Sequence, residues 1–249
     1  MSLYDTAATI INSAAVECGL STAVDPFAST ANEMVQLRQL LTNCGRELAS
    51  GLYEWQQLTN SYTFSTTATP PANGLFALPS DFGYMINQTG WTPTSGGLGL
   101  PLAGPLSEQT WQALVNTNLA SSTIYLSFKI AAQKIQILPR PAPASVNVTF
   151  SYQSQNWIWL LGNSANTDNK AVNASDIVLF DSIMMVKFLA ARFKQAKGID
   201  ASASLEQFQA MYQQFTSTNG PAEILSLSGR AGFPYINVWT NLPVSGFGT

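Results

Sequence analysis

Residues 134–152 read Lys134-Ile135-Gln136-Ile137-Leu138-Pro139-Arg140-Pro141-Ala142-Pro143-Ala144-Ser145-Val146-Asn147-Val148-Thr149-Phe150-Ser151-Tyr152. Two runs of alternating apolar and polar residues flank a turn broken by three prolines. A period of two puts Ile135 with Ile137, and Val148 with Phe150 and Tyr152, on one face each, as half-buried strands require. A third such run, Tyr125-Leu126-Ser127-Phe128-Lys129-Ile130, precedes them, and Tyr62 and Phe64 alternate with Thr and Ser further upstream. Pro70-Pro71, Asn73-Gly74 and the Gly/Pro-rich run 93–105 separate these strands as turns. A short helix is expected from Ser107, which caps it, with Trp111, Leu114 and Val115 as its face.

On both sides of this block the period becomes helical. Residues 4–18 set Ile10, Ile11, Ala14, Ala15 and Cys18 on one side, with Gly19 as the terminating residue. A second helix is expected from about Thr30 to Trp55. Its apolar positions Met34, Leu37, Leu41, Cys44, Leu48 and Trp55 form a narrow seam suited to packing on another helix. Downstream, Ser175-Asp176 reads as a helix start, followed by an apolar helix to Gly198 that should be enclosed rather than lie on a surface. Arg192, Lys194 and Lys197 at its end suit the helix dipole. A last helix, about Ser204 to Phe215, places Leu205, Phe208, Met211, Tyr212 and Phe215 on one face. Beyond Asn219 no period is sustained. Apolar anchors nevertheless persist among the glycines and prolines, and Glu223 and Arg230 are the only charges, so this stretch is expected to be an extended arm that docks.

Composition narrows the function. Of 249 residues only 10% are charged, and the net charge is −3. Such a surface repels copies of itself weakly and offers no broad basic face for nucleic acid. Histidine is absent. That excludes Ser-His and Cys-His nucleophile pairs and His-ligated zinc or haem. The two cysteines, Cys18 and Cys44, read as buried thiols. No basic leader or membrane-length apolar run is visible, so the chain is expected to fold in a cytosol, with the sequons at Asn87, Asn147 and Asn173 as chance matches. Asp25, Asp81, Glu108, Asp168 and Asp176 are candidate hydrolase carboxylates, but most stand where caps and turns favour acids. Gly96-Gly97-Leu98-Gly99 lacks the Lys-Ser/Thr pair of a phosphate loop. Trp91, Trp157 and Trp159 do not fit the core faces and are the candidates for a sugar platform.

Four segments, in this order, resemble the head-to-tail connector family of short-tailed bacteriophages, the adaptor or tail tubular protein A-like proteins. They are Phe76-Ala77-Leu78-Pro79-Ser80-Asp81-Phe82, Pro105-Leu106-Ser107-Glu108-Gln109-Thr110-Trp111, Lys134 to Ala142, and Val148-Thr149-Phe150-Ser151-Tyr152. The resemblance runs over residues 4–218. The chain departs from the family pattern in a longer loop at 90–105 and in the connection Trp157–Lys170.

The resemblance implies an α+β fold: a helical bundle of two N-terminal and two C-terminal helices, interrupted by a small antiparallel β domain and followed by an extended C-terminal arm. The expected divisions are 1–57, 58–155, 156–218 and 219–249. It also implies a structural virion protein of the head-tail neck, assembled in the host cytoplasm. Such a protein forms a dodecameric ring below the portal protein, extends the channel through which double-stranded DNA passes, and offers a platform for a tail nozzle or tail tube protein. Neighbouring subunits would cover the second face of the helix at 175–197. Phe233, Pro234, Tyr235, Ile236, Trp239 and Phe247 are the expected contacts to the portal or a neighbouring subunit. No catalytic residue, cofactor, metal or membrane is implied. The alternatives are a carbohydrate-binding or carboxylate-hydrolase tail protein, and a bacterial scaffold domain without phage context.

Overall fold

The structure, a computed structural model, describes residues 4–51, 53–93, 99–116 and 126–219 and is α+β. Helix α1 (Ala7–Glu17) starts at Thr6, whose hydroxyl accepts the Thr9 amide. It stops where Gly19 takes a φ of +71°, so that Leu20 N–H bonds Ala15 O and Gly19 N–H bonds Val16 O. Helix α2 (Asn32–Ala49) buries the expected seam of Met34, Leu37, Leu41, Cys44 and Leu48. It begins without a side-chain cap at Thr30. Arg38 instead reaches back to the carbonyls of Phe27 (2.5 Å) and Ser29 (3.2 Å) and fixes the entry turn.

The helix also ends earlier than its seam predicts. Trp55 lies six residues beyond Ala49 and is fully buried all the same. Its indole N–H donates to Leu48 O at 2.9 Å, taking up one of the carbonyls that a helix end leaves open.

From there the chain enters strands β1 (Thr59–Ser65), β2 (Leu75–Ala77), β3 (Phe82–Met85), β4 (Trp91–Thr92) and β5 (Leu100–Pro101). Helix α3 (Glu108–Asn116) follows, capped by Ser107, and then β6 (Ser127–Ala131), β7 (Lys134–Leu138) and β8 (Asn147–Ser154). β8 pairs along its length with β1, Thr59 opposite Gln153 through Ser65 opposite Asn147. Its other edge carries β3 and β4, and β4 pairs with β5. A second sheet has the order β2-β7-β6. All these pairings are antiparallel. Phe82, Phe128, Ile135, Ile137, Val148 and Phe150 fill the core of this region, the inward positions that the alternation marks.

After β8 the chain departs from its sequence pattern. Ile177 and Val178 are a short strand, β11, rather than the first helical turn. They pair with β9 (Ile158–Trp159), which also pairs β10 (Thr167–Asp168). Helix α4 (Ser182–Ala196) begins one aspartate later, with Asp181 accepting the Met184 amide at 2.8 Å. Asp176 is fully buried and accepts the backbone N–H groups of Leu161 (2.9 Å), Val172 (2.7 Å) and Asn173 (2.7 Å). Its carboxylate shapes a loop, not a helix.

Helix α5 (Ser202–Asn219) packs on α4, where Phe188 and Phe208 stack with centroids 4.2 Å apart. Helix α4 also packs on α1 and α2, so its apolar circumference is enclosed by helices of its own chain. No neighbouring subunit is needed for that. Ile183 alone among its large apolar residues is left open, at 55% exposure.

Trp157 is fully buried in this helical core and lies flat against Gly45 of α2. A Cβ on Gly45 would fall 2.1 Å from the Trp157 ring. Gly45→Ala is therefore expected to cost at least the ~1–3 kcal/mol typical of overpacking, read as a lower urea midpoint at unchanged m. Trp55→Ala, which removes a buried indole and its hydrogen bond, is expected to cost about 3–5 kcal/mol in the same measurement. A wild-type midpoint in either variant contradicts the packing described.

Candidate functional site

The four segments that carry the family resemblance converge in three dimensions. Asp81 accepts the Tyr152 hydroxyl at 2.9 and 3.1 Å and the Ser154 hydroxyl at 2.7 Å. Phe82 lies 5.6 Å from the Tyr152 ring and 6.3 Å from Phe150. The first and last segments are thus joined through one carboxylate and a cluster of rings. Trp111 of α3 is buried, with Lys129 Nζ 4.9 Å and Arg140 5.1 Å from its ring, and it packs with Leu138. That ties the other two segments together. Lys129 also pairs with Glu108 at 2.7 Å. The residues that look family-specific in sequence therefore do packing work in the β-rich region.

The other candidate residues are held in structural contacts. Asp25 accepts the amides of Phe27 and Ala28, and Asp168 that of Asn169. Glu108 and Asp176 are engaged as described above. In the basic trio, Arg192 pairs with Glu47 at 2.5 Å, Lys194 bonds the Ser204 hydroxyl at 2.8 Å and Lys197 lies over Phe193. The sugar-platform reading loses its middle member, because Trp157 is a core residue. Trp159 is edge-on to Tyr4 at 6.0 Å, and Trp91 is half-buried in β4.

An open cleft of about 360 Å³ lies between β3, the turn at Gly90 and the start of α3. It is lined by residues such as Phe82, Met85, Leu102, Leu106 and Phe128, and no Asp, Glu, Lys, Arg or Cys is among them. A smaller groove of about 340 Å³ at the end of α2 has Glu47 as its one carboxylate, beside Arg46, Ser50, Gln155 and Asn169. Among the described residues no group of His, Cys, Asp and Glu is arranged to hold a metal ion, and no helix is long and apolar enough to cross a membrane.

Phe233, Pro234, Tyr235, Ile236, Trp239 and Phe247, the expected partner contacts, lie outside the described residues, as does most of the glycine loop at 96–99. What sequence reasoning missed is the junction of the two cores. Gln153 of β8 is fully buried and donates from Nε2 to Trp55 O at 2.8 Å. Thr59 of β1 donates to the same carbonyl at 3.1 Å. Alternation gave no signal for it, because Gln153 shares its face of β8 with Thr149 and Ser151 rather than with Val148, Phe150 and Tyr152. Only its burial at the strand end demands a partner for the amide.

Two titrations report on this packing. Burial pushes the Cys44 thiol up to about 12, so it should resist alkylation near neutral pH until the chain unfolds, whereas half-buried Cys18 reacts first. Burial, reinforced by the Asp81 carboxylate, likewise pushes the Tyr152 phenol from its ordinary 10.0 up to about 12. The fold thus favours the neutral phenol. That contribution is intact below pH ~10 and is lost as pH rises toward about 12, so Tyr152→Phe is expected to flatten the alkaline fall in urea midpoint. An identical fall in both proteins contradicts the contact.

Compared with known proteins, the chain matches the family model described as SU10 adaptor protein over residues 5–225. No curated protein matches it. The match spans both helical segments and the β-rich region between them, as well as all four segments that converge on Asp81 and Trp111. The chain belongs to the SU10 adaptor family of phage head-to-tail adaptor proteins.

Proposed function

We propose that this adaptor forms a ring below the portal protein, extends the channel for double-stranded DNA and provides the attachment platform for a tail nozzle or tail tube protein. The observation that carries the reading is the adaptor-family match over residues 5–225. The surface chemistry agrees with it. With 10% charged residues and a net charge of −3, copies repel one another weakly when packed side by side. A channel of such subunits lacks the basic lining that would hold DNA by releasing its counterions, so DNA can slide. Residues 1–57 and 156–218 serve as the bundle and 58–155 as the inserted β domain. The arm from 219 onward, with Phe233, Pro234, Tyr235, Ile236, Trp239 and Phe247 as anchors, contacts the portal or a neighbouring subunit. The helical enclosure of α4 within one chain supports a subunit that folds before it assembles.

The test is mass photometry of the purified chain, alone and mixed with the portal protein of the same genome. The portal peak is expected to gain about twelve subunit masses, the number that the resemblance to the connector family implies for a closed cyclic assembly. A chain that remains monomeric and leaves the portal peak unmoved contradicts the proposal. Removal of residues 220–249 is expected to weaken this association, and portal binding at full strength without them would exclude the arm as a portal contact.

A further inference from the structure

β1 is an open sheet edge of an unusual kind. Among the described residues it pairs only with β8, and its other edge faces no strand. It is seven residues long, Thr59-Asn60-Ser61-Tyr62-Thr63-Phe64-Ser65, with five of the seven side chains exposed. It contains no charge, no proline and no bulge against β8. Long edges in monomeric proteins are blunted by those devices, because an uncapped row of N–H and C=O groups templates another strand. The remaining edges offer less: β6 has five residues and carries the charge of Lys129, β3 has four, β2 three, and β5, β10 and β11 two each.

The chain holds one segment that matches this edge in length and chemistry. Tyr235-Ile236-Asn237-Val238-Trp239-Thr240-Asn241-Leu242 is uncharged, rich in residues that favour strands, and bounded by Pro234 and Pro243, which stop pairing at both ends. It follows Asn219, the end of α5, after the spacer 220–234. The last turns of α5 lie beside the start of the β region, since the Tyr53 hydroxyl meets Thr216 O at 3.5 Å and Phe215 lies 5.7 Å from Trp55. Fully extended, the spacer covers about 50 Å at ~3.3 Å per residue, about twice the ~24 Å length of β1. That reach is long enough for residues 235–242 to leave their own subunit and cross to an adjacent copy.

We infer that residues 235–242 of one subunit add as a strand to the β1 edge of the next. The inference rests on the ring reading above and supplies its subunit contact. An edge on one copy paired with an arm from the next makes a head-to-tail interface, the kind that closes into a ring. Backbone hydrogen bonds provide the attraction, and the absence of charge on both strands removes any electrostatic obstacle to pairing. Most of the arm, residues 226–249, lies beyond the family match, so this contact is argued from the residues of this chain alone.

The experiment uses the full chain in a Cys18→Ala background, in which the remaining native thiol, Cys44, is buried. One preparation carries Ser61→Cys and another Asn237→Cys. They are mixed, assembled on portal and treated with a flexible bismaleimide. Covalent dimers joining the two kinds of chain are expected, and Val238→Pro in the arm should lower their yield at least tenfold without touching the fold of residues 4–219. A doubly substituted chain that closes only on itself, with no mixed dimer, overturns the inference by placing the arm on its own edge. Intact portal-bound rings with no cross-link of either kind also overturn it, while leaving the adaptor reading in place. If the unsubstituted chain forms no ring on portal, the adaptor reading fails first and the inference falls with it.

Discussion

The structure depends on one residue that belongs to no regular element. Trp55 stands between α2 and β1, fully buried, with Tyr53, Phe180, Phe215 and Tyr212 around it at 4.8 to 6.1 Å. Its indole closes the end of α2, and its carbonyl receives Gln153 of β8 and Thr59 of β1. One side chain and one peptide group therefore join the first helix pair, the last helix and the central strand. Buried hydrogen bonds of this kind are costly to break because neither partner can turn to water. The helical core and the β core are thereby coupled at their shared boundary.

The helical part is organised around α4, and its close packing explains two details. Trp157 can lie against α2 because position 45 has no side chain. Asp176, with no water to solvate it, takes three backbone amides and so sets the loop that carries the chain from β9 to β11. Both are consequences of filling a small interior with large rings.

Much of this was legible in the sequence. The seam of α2, the alternation in β7 and β8 and the Ser107 cap all follow from period and local hydrogen bonding, which act over a few residues. What failed was governed by longer-range contacts. Trp55 continued the helical spacing, but the helix had already ended, and its burial comes from partners as distant as Phe215. Asp176 and Asp181 are equally good caps in sequence, and only the pairing of Ile177 and Val178 with β9 decides between them. Trp157 looked surplus because its packing partner is a glycine, which contributes nothing to an apolar pattern. A glycine in the middle of a strong helix was the sign that another group approaches closely. Of the proposed assembly contacts, the β1 edge is legible in the fold, and the arm only in its composition.

Two coupled cores, a weakly charged surface and the open β1 edge suit the ring proposed above. The family match and the architecture meet in the claim that this adaptor occupies the neck of a virion. Electron cryo-microscopy of particles from the same phage tests that claim most directly. The account predicts a ring of density between portal and tail into which α1, α2, α4 and α5 fit as one body with the β-rich region attached. A neck whose density is filled by other chains, with this protein absent from the particle or located elsewhere in it, would contradict the account.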